Sequence, residues 1–195
     1  MYSSQNKNIV WEIYNAPATV FTFPAIALLL GETNFKSLSQ KLNYYVRTGK
    51  LLQLRKGIYA KPNYNPEELA CMLYTPSYLS LEYVLQKTGV IFQYDSRLTS
   101  VSYLSRSVEA DNNLIAYRKI KNEILVNMNG IQRNGNINIA IPERAFLDIL
   151  YLNVAYHFDN IHSLNEKIIR ELLLVYNSKI LIKRVNKILQ NDGHQ

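Results

Sequence analysis

Cysteine and histidine are scarce in this chain of 195 residues. Its one cysteine, Cys71, excludes an intramolecular disulfide. The three histidines are His157, His162 and His194, and no Cys/His cluster has the spacing of a zinc site. We therefore expect no disulfide framework, no metal site and no cofactor.

The chain also lacks a long uninterrupted hydrophobic run. Its apolar stretch from Ala16 to Leu30 contains Pro17, Pro24 and two threonines. That stretch is shorter than the roughly 18 residues that a membrane span needs, and no basic run closely precedes it. We expect a buried helix here, in a cytoplasmic protein with no membrane partner.

Recognisable catalytic motifs are missing as well. There is no Gly-rich phosphate loop, no G-x-S-x-G, no Walker lysine and no paired-histidine motif, so we expect no enzyme activity. Glu143 and Asp148 flank a predicted strand-to-helix transition, but a structural interpretation is simpler. Pro142 and Glu143 suit the first turn of a helix, and Arg144 is spaced to contact Asp148 one turn later.

Acidic residues are absent from one basic segment. Between Thr33 and Pro66 seven of the 22 basic residues occur, with no Asp or Glu among them. The net charge is +7, so the rest of the chain is balanced. An excess confined to one segment indicates a specific anionic partner, for which nucleic acid is the leading candidate. The seven residues are Lys36, Lys41, Arg47, Lys50, Arg55, Lys56 and Lys61.

Within this segment the pattern predicts a helix that begins after an N-cap at Ser37 and ends before Gly49. Its apolar residues recur at helical spacing, so the opposite face points outward. Side chains that can contact phosphates and base edges occupy that outward face, and none is acidic. They are Ser39, Gln40, Asn43, Tyr44 and Arg47.

Neighbouring segments complete a predicted winged helix-turn-helix. One helix is expected over Asn8–Asn15, and a second is expected to begin after Thr22 and to end near Gly31. After Gly49, two short apolar runs flank Arg55-Lys56-Gly57, which predicts a β-hairpin. Such a wing would place its basic tip on the DNA backbone or in the minor groove.

Five segments of the chain together match a known pattern. They are Ser37-Leu38-Ser39-Gln40-Lys41-Leu42, Val46-Arg47-Thr48-Gly49-Lys50-Leu51, Leu54-Arg55-Lys56-Gly57-Ile58-Tyr59-Ala60, Tyr78–Leu85 with Gly89, and Ile139–Asp148 with its Pro-Glu-Arg-Ala core. In these segments the sequence resembles the AbiEi family, the transcription-regulator antitoxins of bacterial abortive-infection systems. The likeness covers roughly residues 15–180.

This resemblance implies a repressor of its own promoter that belongs to a type IV toxin–antitoxin system. The partner it implies is a nucleotidyltransferase-like toxin, which the antitoxin counteracts without a stable complex. Operator DNA is expected to carry inverted repeats, with dimerisation on DNA as a further possibility.

The fold class predicted is α+β, with residues 1–65 forming the winged helix-turn-helix and residues 66–195 a larger α+β domain. In that domain we expect a small sheet flanked by helices. The predicted helices start at Pro66, at Ser80 as N-cap, at Pro142, at Ser163 and at Ser178. The predicted strands are 98–104, 114–118, 123–128 and 137–141, with a turn at 133–136.

The preferred function is thus a DNA-binding transcriptional regulator of the AbiEi type. One alternative is a nuclease that a winged helix delivers to DNA, with Glu123 and Asp148 as its candidate carboxylates. Another is that the second domain binds the toxin or a second copy of the chain. The predicted DNA-binding residues are Lys36, Ser37, Ser39, Gln40, Lys41, Asn43, Tyr44, Arg47, Lys50, Arg55 and Lys56.

Overall fold

A computed structural model describes residues 8–192, with side-chain environments to residue 190. The described residues divide into two compact units, with the division between Leu69 and Ala70. The division falls within helix α4 (Pro66–Leu73), four residues beyond the predicted boundary. Over the described range, every helix is too short or too polar to cross a bilayer.

Before α4, the described residues of the N-terminal unit form three helices and a three-stranded antiparallel sheet of order β1-β3-β2. Strand β1 was not predicted, because it is only three residues long and runs directly into α2. Thr22 nevertheless caps α2 as expected, its hydroxyl accepting a hydrogen bond from the Ala25 amide at 3.2 Å. The elements are α1 (Ile9–Asn15), β1 (Val20–Thr22), α2 (Phe23–Leu30), α3 (Phe35–Arg47), β2 (Leu52–Arg55) and β3 (Ile58–Ala60).

Helix α3 begins earlier than its sequence pattern predicts. The N-cap is Asn34 rather than Ser37, and the Asn34 Oδ1 accepts from the Ser37 amide at 3.0 Å. Asn is as good a cap as Ser, and the Phe35 ring gains an edge contact with Phe23 at 6.0 Å between centroids. The helix ends as predicted, since Gly49 follows with φ of +70°.

The described helices of the N-terminal unit pack around an apolar core. Ile13 of α1, Ile26 of α2 and Leu38 and Leu42 of α3 are fully buried. The predicted hairpin is confirmed, with Leu52 paired to Ala60 and Gln53 to Tyr59. A register irregularity lies between Gln53 and Arg55, just before the turn.

The C-terminal unit contains a mixed six-stranded sheet of order β6-β7-β5-β4-β9-β8. The pairs β5–β7 and β4–β9 are parallel, and the other pairs are antiparallel. This sheet is larger than predicted, although the α+β class is confirmed. Its strands are β4 (Ser77–Leu79), β5 (Leu98–Ser102), β6 (Arg106–Ala110), β7 (Asn113–Lys119), β8 (Ile131–Asn134) and β9 (Ile137–Ala140).

Two predictions in this unit were wrong. The expected strand over 123–128 is instead the short helix α6 (Asn122–Leu125), since a brief apolar run suits either a buried helix or a strand. Ser80 does not cap α5 (Glu82–Lys87), because its hydroxyl donates to Asp148 at 2.8 Å. Strands β4, β6 and β8 had no predicted counterpart.

Helix α7 (Pro142–Leu152) is the central element of the C-terminal unit. Every residue from Glu143 to Leu150 is buried, which is the pattern of a helix covered on all sides. It packs against α5, α8 (Glu166–Leu172) and α9 (Lys179–Asp192), and against β9. The helix expected from Ser163 to Tyr176 is divided into α8 and two flanking 3₁₀ turns.

Candidate nucleic-acid interface

The outward face of α3 carries a narrow polar stripe. At 100° per residue, Lys36, Gln40, Asn43 and Arg47 fall within an arc of about 60°. All four are exposed, whereas Leu38 on the opposite side is completely buried. The helix therefore presents two carboxamides and two cations together on one surface.

Tyr44 and Ser39 flank this stripe on its two sides. Tyr44 is 52% exposed, and its ring meets that of Tyr45 edge-on at 5.5 Å between centroids. Ser39 is half-buried at the edge of the stripe. Ser37 is also half-buried and lies in the first turn.

Lys41, although predicted as a site residue, lies away from the polar stripe of α3. It lies about 140° around the helix from Lys36. Its Nζ is 3.9 Å from the Glu32 Oε2, with the Glu32 side chain 28% exposed. A count of charges over 33–66 misses this carboxylate, which lies just before Thr33.

A groove joins the stripe to the hairpin. Its walls are formed by Gln40, Asn43, Val46 and Arg47 of α3 and by Gln53 of β2, around a space of about 500 Å³. Gln53 was not among the predicted site residues. The sequence signal for Gln53 was the alternation of apolar Leu52 and Leu54 with polar neighbours. In a strand this alternation points the polar side chains away from the core.

The hairpin tip stands next along that strand. Arg55 and Lys56 are both exposed, and Arg55 follows the register irregularity that separates it from Gln53. The turn is anchored, because the Gly57 carbonyl accepts from the Phe23 amide at 2.8 Å. Two predicted cations therefore occupy a fixed turn beside the groove.

Lys50 lies at the other end of β2, in the turn that follows α3. It is exposed, with its Nζ 5.9 Å from the centroid of the Tyr45 ring. Its backbone carbonyl accepts from the Tyr14 hydroxyl at 2.9 Å, which ties this turn to α1. The Lys50 ammonium remains accessible to an anionic ligand.

Lys61 belongs to the basic segment, but its side chain binds backbone carbonyls of the same unit. Its Nζ donates to the carbonyls of Tyr14 at 3.2 Å and Ala16 at 2.6 Å. Those carbonyls lie at the C-terminal end of α1, where a cation stabilises the helix dipole. The charge excess of the segment therefore overstates the charge that faces a ligand.

A second cluster of charged residues lies in the C-terminal unit. The predicted contact between Arg144 and Asp148 is confirmed, and both side chains are completely buried. The Asp148 carboxylate accepts from the hydroxyls of Tyr176 at 2.6 Å, Ser80 at 2.8 Å and Tyr78 at 3.2 Å. Burial raises the pKa of both tyrosines well above the ordinary value.

The remaining contacts of this cluster are also internal. Arg144 donates to the carbonyls of Ile124 at 2.8 Å and Asn129 at 3.0 Å. The Glu143 Oε1 accepts from the Asn165 amide at 3.0 Å, so this carboxylate fixes the segment that leads into α8. These residues hold the fold together and present no open reactive group.

The two carboxylates considered for a nuclease do not form an open pair. Glu123 is exposed on α6, whereas Asp148 is fully buried among its donors. Among the side chains described, over residues 8–190, no three His, Cys, Asp or Glu are placed to hold a metal ion. His194 lies outside the described residues.

No protein-family model matches this chain, and no curated protein matches it significantly. The resemblance to the AbiEi family therefore depends on the five sequence segments that carry it.

Proposed function

We propose that the N-terminal unit is a winged helix-turn-helix that binds double-stranded DNA in a sequence-specific manner. In this proposal α2 and α3 form the helix-turn-helix, and β2 and β3 form the wing. Helix α3 enters the major groove, while the hairpin tip contacts the adjacent backbone or minor groove.

One observation carries this proposal. The polar stripe of α3 and the hairpin residue Gln53 line a common groove, with Arg55 and Lys56 at the neighbouring tip. An ordinary solvated helix would mix Glu with Lys, whereas this surface has carboxamides and cations. Such a surface repels no phosphate and offers hydrogen-bonding groups to base edges.

Ten of the eleven predicted residues divide into two roles. Ser39, Gln40, Asn43, Tyr44 and Arg47 read bases, because they lie on or beside the outward stripe. Lys36, Lys41, Lys50, Arg55 and Lys56 hold phosphates, and Ser37 supports the first turn of the helix. Lys41 contributes less than the others, since Glu32 competes for its ammonium.

We further propose that the chain is an AbiEi-type antitoxin that represses its own operon in the cytoplasm. The resemblance over residues 15–180 supports this part. In the C-terminal unit its Pro-Glu-Arg-Ala element supplies buried structural residues. That element therefore supports a shared fold more directly than it supports a way of counteracting a toxin.

DNA binding is tested by gel shift on the duplex upstream of the gene, beside an unrelated duplex of equal length. We expect Arg55→Ala with Lys56→Ala to weaken binding to both duplexes and to flatten the salt dependence. Gln40→Ala and Asn43→Ala should weaken binding to the upstream duplex selectively. Equal losses on both duplexes for all these variants would reject the division of roles.

The proposed antitoxin role is tested by a separate experiment. A neighbouring nucleotidyltransferase gene is expressed with and without this chain, and growth is measured. We expect rescue of growth without co-purification of the two proteins. Failure of rescue rejects the antitoxin role, while co-purification favours direct binding through the C-terminal unit.

A further inference from the structure

Gln53 adds a third carboxamide to the groove beside α3. Gln40 and Asn43 supply the other two, and Arg47 supplies a guanidinium. Among the described residues of the lining, Val46 is the one apolar side chain, and it is half-buried. The groove therefore has more neutral amides than cations.

Carboxamides match one class of DNA group better than another. Each places an N–H donor and a carbonyl acceptor side by side. A phosphate offers acceptors only, so the carbonyl of a carboxamide would face its anionic oxygens. Adenine offers the N6 donor and the N7 acceptor in the major groove, which pairs with both halves of a carboxamide.

The backbone holds Gln53 in a defined place. Its ladder partner is Tyr59, which is 4% exposed, and its neighbours Leu52 and Leu54 are half-buried. A side chain on such a fixed strand is better positioned for base discrimination than one on a loose loop.

We propose that Gln53 is a specificity-determining residue that reads one adenine, and that Gln40 and Asn43 read adenines beside it. The operator then contains adenines at neighbouring positions, with a guanine where the fork of Arg47 meets O6 and N7. This inference depends on the DNA-binding function proposed above. It goes beyond that function by adding a hairpin residue to the readout and by naming the bases.

The test begins with wild-type protein and a pool of randomised duplexes, from which bound sequences are enriched. Adenines in the enriched duplex are then replaced one at a time by 7-deazaadenine, which lacks the N7 acceptor. At the adenine that Gln53 reads, this replacement removes one of the two hydrogen bonds, so wild-type affinity should fall by about 2- to 12-fold. Gln53→Ala removes both hydrogen bonds, so it should lose at least that factor on the unmodified duplex and should not respond to the replacement.

Gln132→Ala is the matched control, because Gln132 is an exposed strand glutamine in the other unit. It should bind as the wild type does, and circular dichroism should show both variants folded. Equal loss by Gln53→Ala on enriched and unrelated duplexes would make Gln53 a backbone contact and overturn the inference, as would no loss at all. If the wild type enriches no sequence, the proposed function itself fails.

Discussion

The guanidinium of Arg144 faces the carboxylate of Asp148 one helical turn away, with Nε 3.5 Å from Oδ1 and both side chains completely buried. The ring centroids of Tyr78 and Tyr176 lie 5.6 Å and 5.1 Å from the Arg144 guanidinium carbon. The pair is thus enclosed by aromatic rings and by hydroxyl donors to the carboxylate. Removing one partner of the pair should strongly destabilise the fold, because the other charge would stay buried without a counterion.

Asp148→Asn is expected to destabilise the C-terminal unit by about 3–5 kcal/mol, since it leaves the Arg144 charge buried without its counterion. Denaturant unfolding followed by circular dichroism measures this loss. Glu166→Gln is the control, because Glu166 and Arg170 have the same spacing but are 56% and 53% exposed. That surface pair should be worth less than about 1 kcal/mol. Similar losses for the two variants would show that the buried pair has no special role.

Tyr176 should remain protonated in the folded protein at alkaline pH. Its pKa is raised well above 10, first by burial and then by the negative charge of Asp148. Above pH 10 the unfolded chain therefore loses a proton that the folded chain retains, and stability falls as the pH rises. Tyrosinate absorbance should show that Tyr176→Phe lowers the titration amplitude in denaturant but leaves the native amplitude near pH 10 unchanged. A lower native amplitude near pH 10 would contradict the raised pKa.

Glu68 holds the start of β1 in the N-terminal unit. Its Oε2 accepts from the Thr19 amide at 2.6 Å, the Thr19 hydroxyl at 2.7 Å and the Val20 amide at 3.0 Å. Glu68→Ala should cost about 3 kcal/mol, because it leaves a buried amide without an acceptor. Hydrogen exchange by mass spectrometry should show faster exchange over Thr19–Thr22, with the C-terminal unit unaffected. Glu109→Ala, at an exposed strand position, is the control.

The elements that the sequence predicted have clear local signals. The period of α3, the basic turn of the hairpin and the proline at the start of α7 each specify structure within a few residues. Strands β1 and β4 have three residues each, which is too short for alternation to be visible. They form because partners elsewhere in the chain, such as Ala60 for Val20, complete their hydrogen bonds.

The candidate site was predictable to a similar extent. Helical spacing placed Gln40, Asn43 and Arg47 on one side, and strand alternation could have added Gln53. The pairing of Lys41 with Glu32 and of Lys61 with carbonyls of α1 was not predictable, because each depends on how separate elements meet. The sequence gives the number of charged residues in a segment, whereas the packing of the helices and strands determines which of those charges face a ligand.

Lys56 and Lys61 should therefore differ in their effect on DNA binding. Lys56→Ala should lower the salt-dependence slope by about 0.9, the value for one lost phosphate contact. Lys61→Ala should leave that slope unchanged and should lower the thermal stability of the N-terminal unit instead, because its Nζ is bound to Tyr14 and Ala16 carbonyls. Affinity measured across a salt series, with melting curves of both variants, separates the two effects. Equal slope changes would place Lys61 on the DNA.

Gly130 and Gly135 both have positive φ, at +76° and +59°, but only Gly130 lies against other side chains. A Cβ on Gly130 would stand 3.0 Å from the Arg144 Cβ and 3.0 Å from a Leu172 methyl, whereas a Cβ on Gly135 would meet nothing within 4 Å. Both alanine variants carry a similar backbone cost, so their difference isolates the crowding. Gly130→Ala should be about 1–3 kcal/mol less stable than Gly135→Ala in denaturant unfolding. Equal stabilities would mean that α8 shifts without cost and that the surroundings of Arg144 are loosely packed.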